Sequence, residues 1–126
     1  MFKTVHHIAI ICSDYEASKD FYVNKLGFKI LRETYREERQ SYKLDLKQGE
    51  IQIELFTFPD TPKRITNPEA HGLRHIALGV DSIKSTIHEL EEKGIKVEHV
   101  RVDERTGKRY TFFFDPDRQP IEIYGL

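Results

Sequence analysis

Two histidines and two glutamates occupy matching places in the sequence. His7 opens the string HIAI and His75 opens HIAL, while Glu54 and Glu122 lie between branched apolar residues in IEL and IEI. Both pairs have the same offset of 68 residues, from 7 to 75 and from 54 to 122. Imidazole and carboxylate are ligands of divalent cations, and a carboxylate among apolar neighbours needs a cation or a polar partner. The duplicated set therefore predicts a metal site.

The shared offset also predicts that the whole chain is an internal repeat. We interpret residues 1–126 as a single domain made of two modules, 4–58 and 72–126. The polar, proline-containing stretch from Thr57 to Gly72 joins them. Each module is expected to be built in the order βαβββ.

The strands are predicted from short runs of branched and aromatic residues bounded by turn signals. Four are expected in each module, at Val5–Ile11, Lys29–Glu33, Ser41–Lys47 and Glu50–Phe58, then at His75–Val80, Lys96–Arg101, Arg109–Phe114 and Ile121–Tyr124. The ungapped repeat pairs Tyr42 with Tyr110 across the third strands.

The helices are predicted from their ends. Ser13 and Glu16 have capping-box spacing, which predicts that the first helix begins after Ser13 and ends near Gly27. The second helix is expected to begin after Asp81 or Ser82 and to stop at a glycine, residue 94.

Side chains alternate across a strand, so residue parity decides which of them share a face. In the first module His7 opposes Ile8, and Glu54 opposes Ile53 and Leu55; the second module repeats this pattern. The apolar faces need helices to cover them, which leaves the histidines and glutamates on the other face. The predicted fold class is α+β, with two βαβββ modules forming a curled, groove-lined mixed sheet.

The ligand types limit the choice of metal. The single Cys12 excludes a multi-cysteine site. Two histidines and two carboxylates suit one divalent ion, namely zinc, nickel, cobalt, manganese or iron(II). Four protein ligands leave a position open to substrate only if the ion has five or six ligands, and a catalytic metal needs such a position.

Composition excludes several classes of partner. The 126 residues carry a formal net charge of −1, so no overall basic field favours nucleic acid. No apolar run is long enough to span a bilayer, and the first residues lack the order of a secretory signal. With a single cysteine, these features predict a cytoplasmic protein that binds a small-molecule substrate, without nucleic acid or membrane partners.

With these features the chain resembles the vicinal oxygen chelate superfamily, and within it the glyoxalase I-like branch. The resemblance covers essentially the whole chain and rests on the strings HIAI, FYVNKLGF, QIEL, RHIALGVD and DPDRQPIEIY. It implies that His7, Glu54, His75 and Glu122 are the metal ligands. It further implies a lyase of lactoylglutathione lyase type, which transfers a proton next to a carbonyl through a metal-stabilised enediolate.

The resemblance assigns the catalytic roles to the two glutamates. Glu122 is the expected base that takes and returns the proton, with Glu54 as the second catalytic carboxylate. A Gln at the position of Glu54 is typical of epimerases, so a glutamate there favours the lyase. The alternatives are other metal chemistry of the superfamily (epimerase, dioxygenase, antibiotic thiol transferase) and a drug-binding protein of the bleomycin-resistance type. A homodimer is expected, with the groove formed within one chain or between two.

Three positions depart from the glutathione-using enzymes. Those enzymes carry Arg four residues after the first ligand and Asn about four after the second, where this chain has Ile11 and Phe58. These replacements argue against glutathione as the thiol. Arg118 stands where the DPDG string has a glycine, which is unfavourable if the backbone there needs a positive φ.

Charged and aromatic residues are the remaining candidates for the groove. An anionic substrate could be held by a basic residue at the rim, for which the candidates are Arg36, Arg39, Arg74, Lys108 and Arg109. Phe112, Phe114 and Tyr124 share the parity of Glu122 and are expected to wall the site.

Overall fold

The computed structural model describes residues 1–126 and divides them into two compact units, Met1–Pro62 and Lys63–Leu126. Each unit contains one helical segment and one four-stranded mixed sheet, and neither sheet is closed. The predicted fold class, two βαβββ modules of α+β type, is confirmed. The module bounds 4–58 and 72–126 stay a prediction.

The first unit has its strands in the order β1-β4-β3-β2. Its elements are β1 (Ile8–Ile11), α1 (Tyr15–Lys19) continued by a π-helical stretch (Asp20–Lys25), β2 (Lys29–Arg36), a 3-10 turn (Glu37–Arg39), β3 (Ser41–Gln48) and β4 (Ile51–Phe56). β1 runs parallel to β4, and the other neighbouring strands are antiparallel.

The second unit repeats this topology as β5-β8-β7-β6. Its elements are β5 (Ile76–Val80), α2 (Ile83–Glu92), β6 (Arg101–Val102), β7 (Arg109–Phe114) and β8 (Pro120–Gly125). β5 is parallel to β8 and the remaining pairs are antiparallel.

The first helix begins one residue later than the sequence predicted. The Asp14 carboxylate accepts the Ala17 backbone N–H at 3.1 Å, so Asp14 is the N-cap and the prediction of Ser13 was wrong. Asp14 has the extended backbone that a cap needs, with φ −122° and ψ 106°. At the other end Gly27 has φ +82°, in the left-handed region expected of a helix-ending glycine.

The second helix begins as predicted, with the Ser82 hydroxyl accepting the Ser85 backbone N–H. The strand expected at Lys96–Arg101 is much shorter, since only Arg101–Val102 forms regular strand. One backbone bond, from the Glu98 N–H to the Phe112 carbonyl at 2.9 Å, still joins the preceding segment to β7. The Thr111 hydroxyl donates to the carbonyls of Glu98 and His99, at 2.8 and 3.0 Å. Regular pairing with β7 then starts only at Arg101.

Each unit has an apolar core of its own. In the first unit Leu44, Leu46 and Leu55 are fully buried, and in the second Phe113 is nearly so. On the strands where parity predicted the apolar face, Ile53, Leu55, Ile121 and Ile123 are buried, whereas Ile8 is only partly buried. No helix of the protein is long and apolar enough to cross a bilayer.

Candidate functional site

The second unit brings His75 and Glu122 together. His75 directly precedes β5 and Glu122 lies in β8, which pairs with β5 in parallel. The His75 Nε2 lies 3.0 Å from the Glu122 Oε2, and Glu122 is only 8% exposed. The ring of Phe112, the residue opposite Glu122 in β7, meets the His75 ring edge-on at 5.2 Å between centroids. The Glu122 carboxylate is thus buried beside an aromatic ring, and no Lys or Arg side chain lies within ion-pair distance of it.

The first unit brings His7 and Glu54 together in the equivalent position. Their Nε2 and Oε2 atoms are 3.6 Å apart, and Glu54 is also 8% exposed. Here the other carboxylate oxygen, Oε1, lies 3.5 Å from the Lys43 ammonium. Asp45 stands opposite Glu54 in β3 and is itself 3.7 Å from Lys43. Three charged residues therefore share this site with one imidazole.

The structure forms two pairs of predicted ligands and no group of three or more His, Cys, Asp or Glu side chains able to hold a metal. The donors of each pair fit a divalent ion in type, since imidazole nitrogen and carboxylate oxygen both ligate such ions. The burial of both carboxylates is consistent with a cation partner. One pair alone supplies two ligands, fewer than the three or four protein ligands that zinc sites normally use.

A cavity of about 690 Å³ lies within the second unit and includes His75 in its lining. Phe112 and Phe114, which parity predicted to wall the site, line this cavity together with Ile65, Ala70 and Pro120. An adjoining cavity of similar volume is lined by both His75 and Glu122. Volumes of this size suit small-molecule ligands.

Four arginines line the first of these cavities, the one that contains Phe114, and the sequence predicted only one of them. Arg74 was a rim candidate, whereas Arg64, Arg101 and Arg118 were missed. Arg64 and Arg101 come from irregular segments and a two-residue strand, where periodicity gives no signal. Arg118 had a signal, because an arginine in place of the expected glycine is itself unusual.

The other rim candidates lie elsewhere. The Arg36 guanidinium lies 5.0 and 5.7 Å from the ring centroids of Phe56 and Phe58 and donates to the Ser41 hydroxyl. Arg39, Lys108 and Arg109 line neither cavity.

Tyr124, two residues after Glu122, lines the cavity that contains the His75–Glu122 pair. Its hydroxyl donates to the Asp103 carboxylate at 2.8 Å and also contacts the Thr106 hydroxyl. Thr106 lowers the pKa of Tyr124, but Asp103 and desolvation outweigh it, so the net pKa is raised. Tyr124 therefore stays protonated, and its hydroxyl is a hydrogen-bond donor at the edge of the cavity.

A sequence profile of the Glyoxalase/Bleomycin resistance protein/Dioxygenase superfamily matches residues 4–123. The chain belongs to this superfamily. The match covers both His–Glu pairs and the cavity beside the second.

Two close relatives match the chain over almost its whole length. The uncharacterized protein YwkD of Bacillus subtilis (strain 168) is 62% identical over 125 residues, 98% of each chain. The crystal structure of a glyoxalase family protein from Enterococcus faecalis is 51% identical, covers 98% of each chain and superposes with a TM-score of 0.93.

A more distant superfamily structure shares the fold alone. The fosfomycin resistance protein FosX from Listeria monocytogenes, in a mutant form complexed with Mn(II) and 1S,2S-dihydroxypropylphosphonic acid, is 16% identical. It covers 100% of this chain and 93% of its own, with a TM-score of 0.74. Mn(II) is thus bound by one protein that shares this fold.

The two positions where glutathione-using superfamily enzymes carry Arg and Asn present no polar group here. Ile11, at the end of β1, is 53% exposed. Phe58 stacks on Phe56, with 5.9 Å between ring centroids, beneath the Arg36 guanidinium. Neither side chain offers a hydrogen bond to a peptide-like thiol.

Proposed function

We propose that the protein is a metal-dependent lyase of the glyoxalase I type. It transfers a proton next to a carbonyl, through an enediolate, in a small adduct of an α-oxoaldehyde and a thiol. The observation that carries the proposal is the duplicated His–Glu pair, in which both carboxylates are almost fully buried. Buried carboxylates aligned with imidazoles are typical of metal ligation rather than of solvent-facing charge.

The residues that would hold the metal are His7, Glu54, His75 and Glu122, one imidazole and one carboxylate from each unit. Zinc, nickel, cobalt, manganese and iron(II) all accept this donor set. When bound, such an ion would supply Lewis-acid stabilisation of negative charge developing on substrate oxygens.

Glu122 is the proposed base. Its Oε2 is held by His75 at 3.0 Å, which leaves Oε1 to take the proton from the substrate carbon and return it to the neighbouring one. The adjoining cavity gives a small substrate access to this carboxylate. Glu54 is less suited to the role, because its Oε1 lies 3.5 Å from the Lys43 ammonium and is already engaged by a cation.

The thiol is proposed to be something other than glutathione. We expect weak or absent turnover of the methylglyoxal–glutathione adduct, because Ile11 and Phe58 provide no polar contact for the peptide. Steady-state assays with this adduct check the expectation. Turnover at the rate of a dedicated glyoxalase would contradict it.

A second candidate function is sequestration of a small drug-like molecule. The aromatic wall and volume of the cavity in the second unit favour it. Sequestration requires neither a bound metal nor proton exchange, which makes the two candidates separable.

A homodimer and a cytoplasmic location are also part of the proposed function. Light scattering checks the first and cell fractionation the second.

Two measurements test the proposed function. Elemental analysis of the purified protein is expected to give about one divalent ion per chain, because one chain supplies one set of four ligands. Proton NMR in deuterated water is expected to detect metal-dependent exchange at the hydroxymethyl carbon of dihydroxyacetone, an α-hydroxyketone analogue. Ligand binding without metal and without exchange would support sequestration instead.

A further inference from the structure

The cavity of the second unit contains more positive charge than its own acids neutralise. Arg74 is paired with Glu69 at 2.5 Å, and Arg101 with Glu98 at 2.7 Å. Arg118 forms no ion pair, and its guanidinium lies 4.0 Å from the centroid of the Phe114 ring. A cation inside a concave, partly apolar space attracts an anion more strongly than the same cation on an open surface.

Arg64 adds positive charge to the cavity, but its guanidinium is bonded to neighbouring residues of the second unit. Its guanidinium donates to the Gln119 side chain at 3.0 Å and to the carbonyls of Leu73 and Arg74 at 2.9 and 2.8 Å. All three partners are neutral, so the charge of Arg64 stays uncompensated, and its buried Nε has no hydrogen-bond partner. Arg118 differs from the other three arginines because its guanidinium forms no hydrogen bond or ion pair and contacts only the Phe114 ring.

The backbone at Arg118 supports a functional reason for the arginine. Arg118 has φ +66°, in the left-handed region that favours glycine. The turn holds it there, because the Asp115 carboxylate accepts the backbone N–H groups of Asp117 and Gln119, both at 2.9 Å. The Arg118 N–H itself donates to the Asp115 carbonyl. Strained residues kept by a well-bonded turn cluster at ligand sites.

We propose that this cavity binds a compact oxyanion, a carboxylate or phosphate group of the substrate, and that Arg118 is its principal partner. The guanidinium presents a planar fork that matches two oxygens of such a group. Phe112 and Phe114 line the same cavity and would contact the apolar part of the molecule. Arg118 is then a specificity-determining residue, which selects anionic substrates over neutral ones.

The inference deepens the proposed function and rests on it for the orientation of the substrate. His75 lines both cavities, so an anion held by Arg118 leaves the rest of a small molecule beside the His75–Glu122 pair. The substrate class becomes an α-oxoaldehyde adduct in which the thiol or the aldehyde carries a carboxylate or phosphate.

The test measures binding of phenyl phosphate, benzoate and neutral benzyl alcohol to the purified holoprotein by isothermal titration calorimetry. We expect the two anions to bind, more weakly as salt increases, and benzyl alcohol to bind at least tenfold more weakly. Comparing phosphate with carboxylate identifies which oxyanion the site prefers.

Arg118→Gly is the decisive variant, because glycine accepts the positive φ and the variant is expected to fold. It should weaken anion binding tenfold or more and leave the affinity for benzyl alcohol unchanged. Arg118→Lys, which keeps the charge without the planar fork, should retain part of the affinity. Arg32→Ala removes an exposed charge from β2 of the first unit and should have no effect.

The outcomes separate this inference from the proposed function. Anion binding that persists in folded Arg118→Gly, for example on a bound metal, would overturn the role of Arg118. Anion binding that depends on Arg118 in a protein without metal or proton exchange would support the oxyanion site and contradict the lyase.

Discussion

The two His–Glu pairs share their backbone setting but differ in the residues around them. In the parallel partner strands Ala9 lies beside Glu54 and Ala77 lies beside Glu122, so this neighbour is the same in both units. On the antiparallel side Glu54 faces Asp45 whereas Glu122 faces Phe112. The repeat has preserved the candidate ligands and changed what lies next to them.

This difference gives the two glutamates different electrostatic environments. Lys43 lies 3.5 Å from the Glu54 carboxylate, and its counterpart in the second unit is Tyr110. Glu122 has the His75 imidazole beside it at 3.0 Å, has no Lys or Arg in ion-pair contact, and borders an aromatic cavity. The two copies of a duplicated site can thus take different roles, in which one carboxylate is held as a ligand and the other is placed to transfer a proton.

Removal of the proposed metal is expected to have the largest effect, because the proposed carboxylate ligands would then lose the cation that balances their charge. Binding to the folded state alone stabilises by about 4 kcal/mol at a thousandfold excess of metal over Kd. Incubation with a chelator should therefore lower the melting temperature by several degrees, measured by circular dichroism. Restoring the metal should recover it. An unchanged melting curve in protein proven to be metal-free would contradict the four-ligand site.

Replacing each glutamate by glutamine tests directly whether the two carboxylates have these different roles. Glutamine keeps the length and an oxygen ligand but cannot accept a proton at neutral pH. Glu122→Gln should retain most of the metal and lose about 10²-fold or more in proton exchange, the usual scale for a general base. Glu54→Gln should lose less. Exchange rates from NMR and metal content from elemental analysis are compared for both variants.

The opposite ranking would transfer the role of base to Glu54, and near-normal exchange in metal-loaded Glu122→Gln would refute the assignment. Equal losses without loss of metal would mean that the asymmetry around the pairs has no chemical consequence.

Lys43 provides a smaller, graded test of the same asymmetry. Its ammonium competes with a cation for the Glu54 carboxylate, and its side chain is 32% exposed, so screening weakens the effect. Lys43→Met should tighten divalent-metal binding by about tenfold or less, measured by calorimetry with zinc. Lys47→Met, which removes the same charge from an exposed position of β3, is the matched control. Equal affinities in the two variants would exclude a specific role for Lys43.

The sequence predicted the repeat and the paired ligands because both depend on short, local patterns. Strings such as HIAI and QIEL fix strand identity and side-chain parity at once, and parity is enough to place Phe112 beside His75. The sequence did not predict how the third strands align. Tyr110 faces Tyr124 as Lys43 faces Phe56, so Lys43 is the counterpart of Tyr110, and the ungapped match to Tyr42 was wrong.

The remaining misses have related causes. One residue more separates the paired positions of β7 and β8 than those of β3 and β4, and such an insertion has no signature in the composition of a turn. The cavity arginines Arg64 and Arg101 come from segments without periodicity, so only the three-dimensional structure brings them to one place. The cap at Asp14 was missed because Ser13, Asp14 and Glu16 offer two overlapping capping patterns.

The smallest expected effect concerns these caps, which compare the two units away from the site. Asp14 and Ser82 each accept one backbone N–H at the start of their helix, at 3.1 and 3.2 Å. Asp14→Ala and Ser82→Ala should each lower the free energy of unfolding by about 1 kcal/mol, measured by urea denaturation. Ser13→Ala, outside the observed cap, should cost less than Asp14→Ala. A larger loss for Ser13→Ala would mean that the helix begins one residue earlier, as its capping-box spacing suggested. The same Ser82→Ala variant also tests whether the two units unfold together, since a cap acts on the folding of its own unit. A single unfolding transition would indicate that they do. Two separate transitions, with only the second unit destabilised, would show that each βαβββ unit is stable by itself.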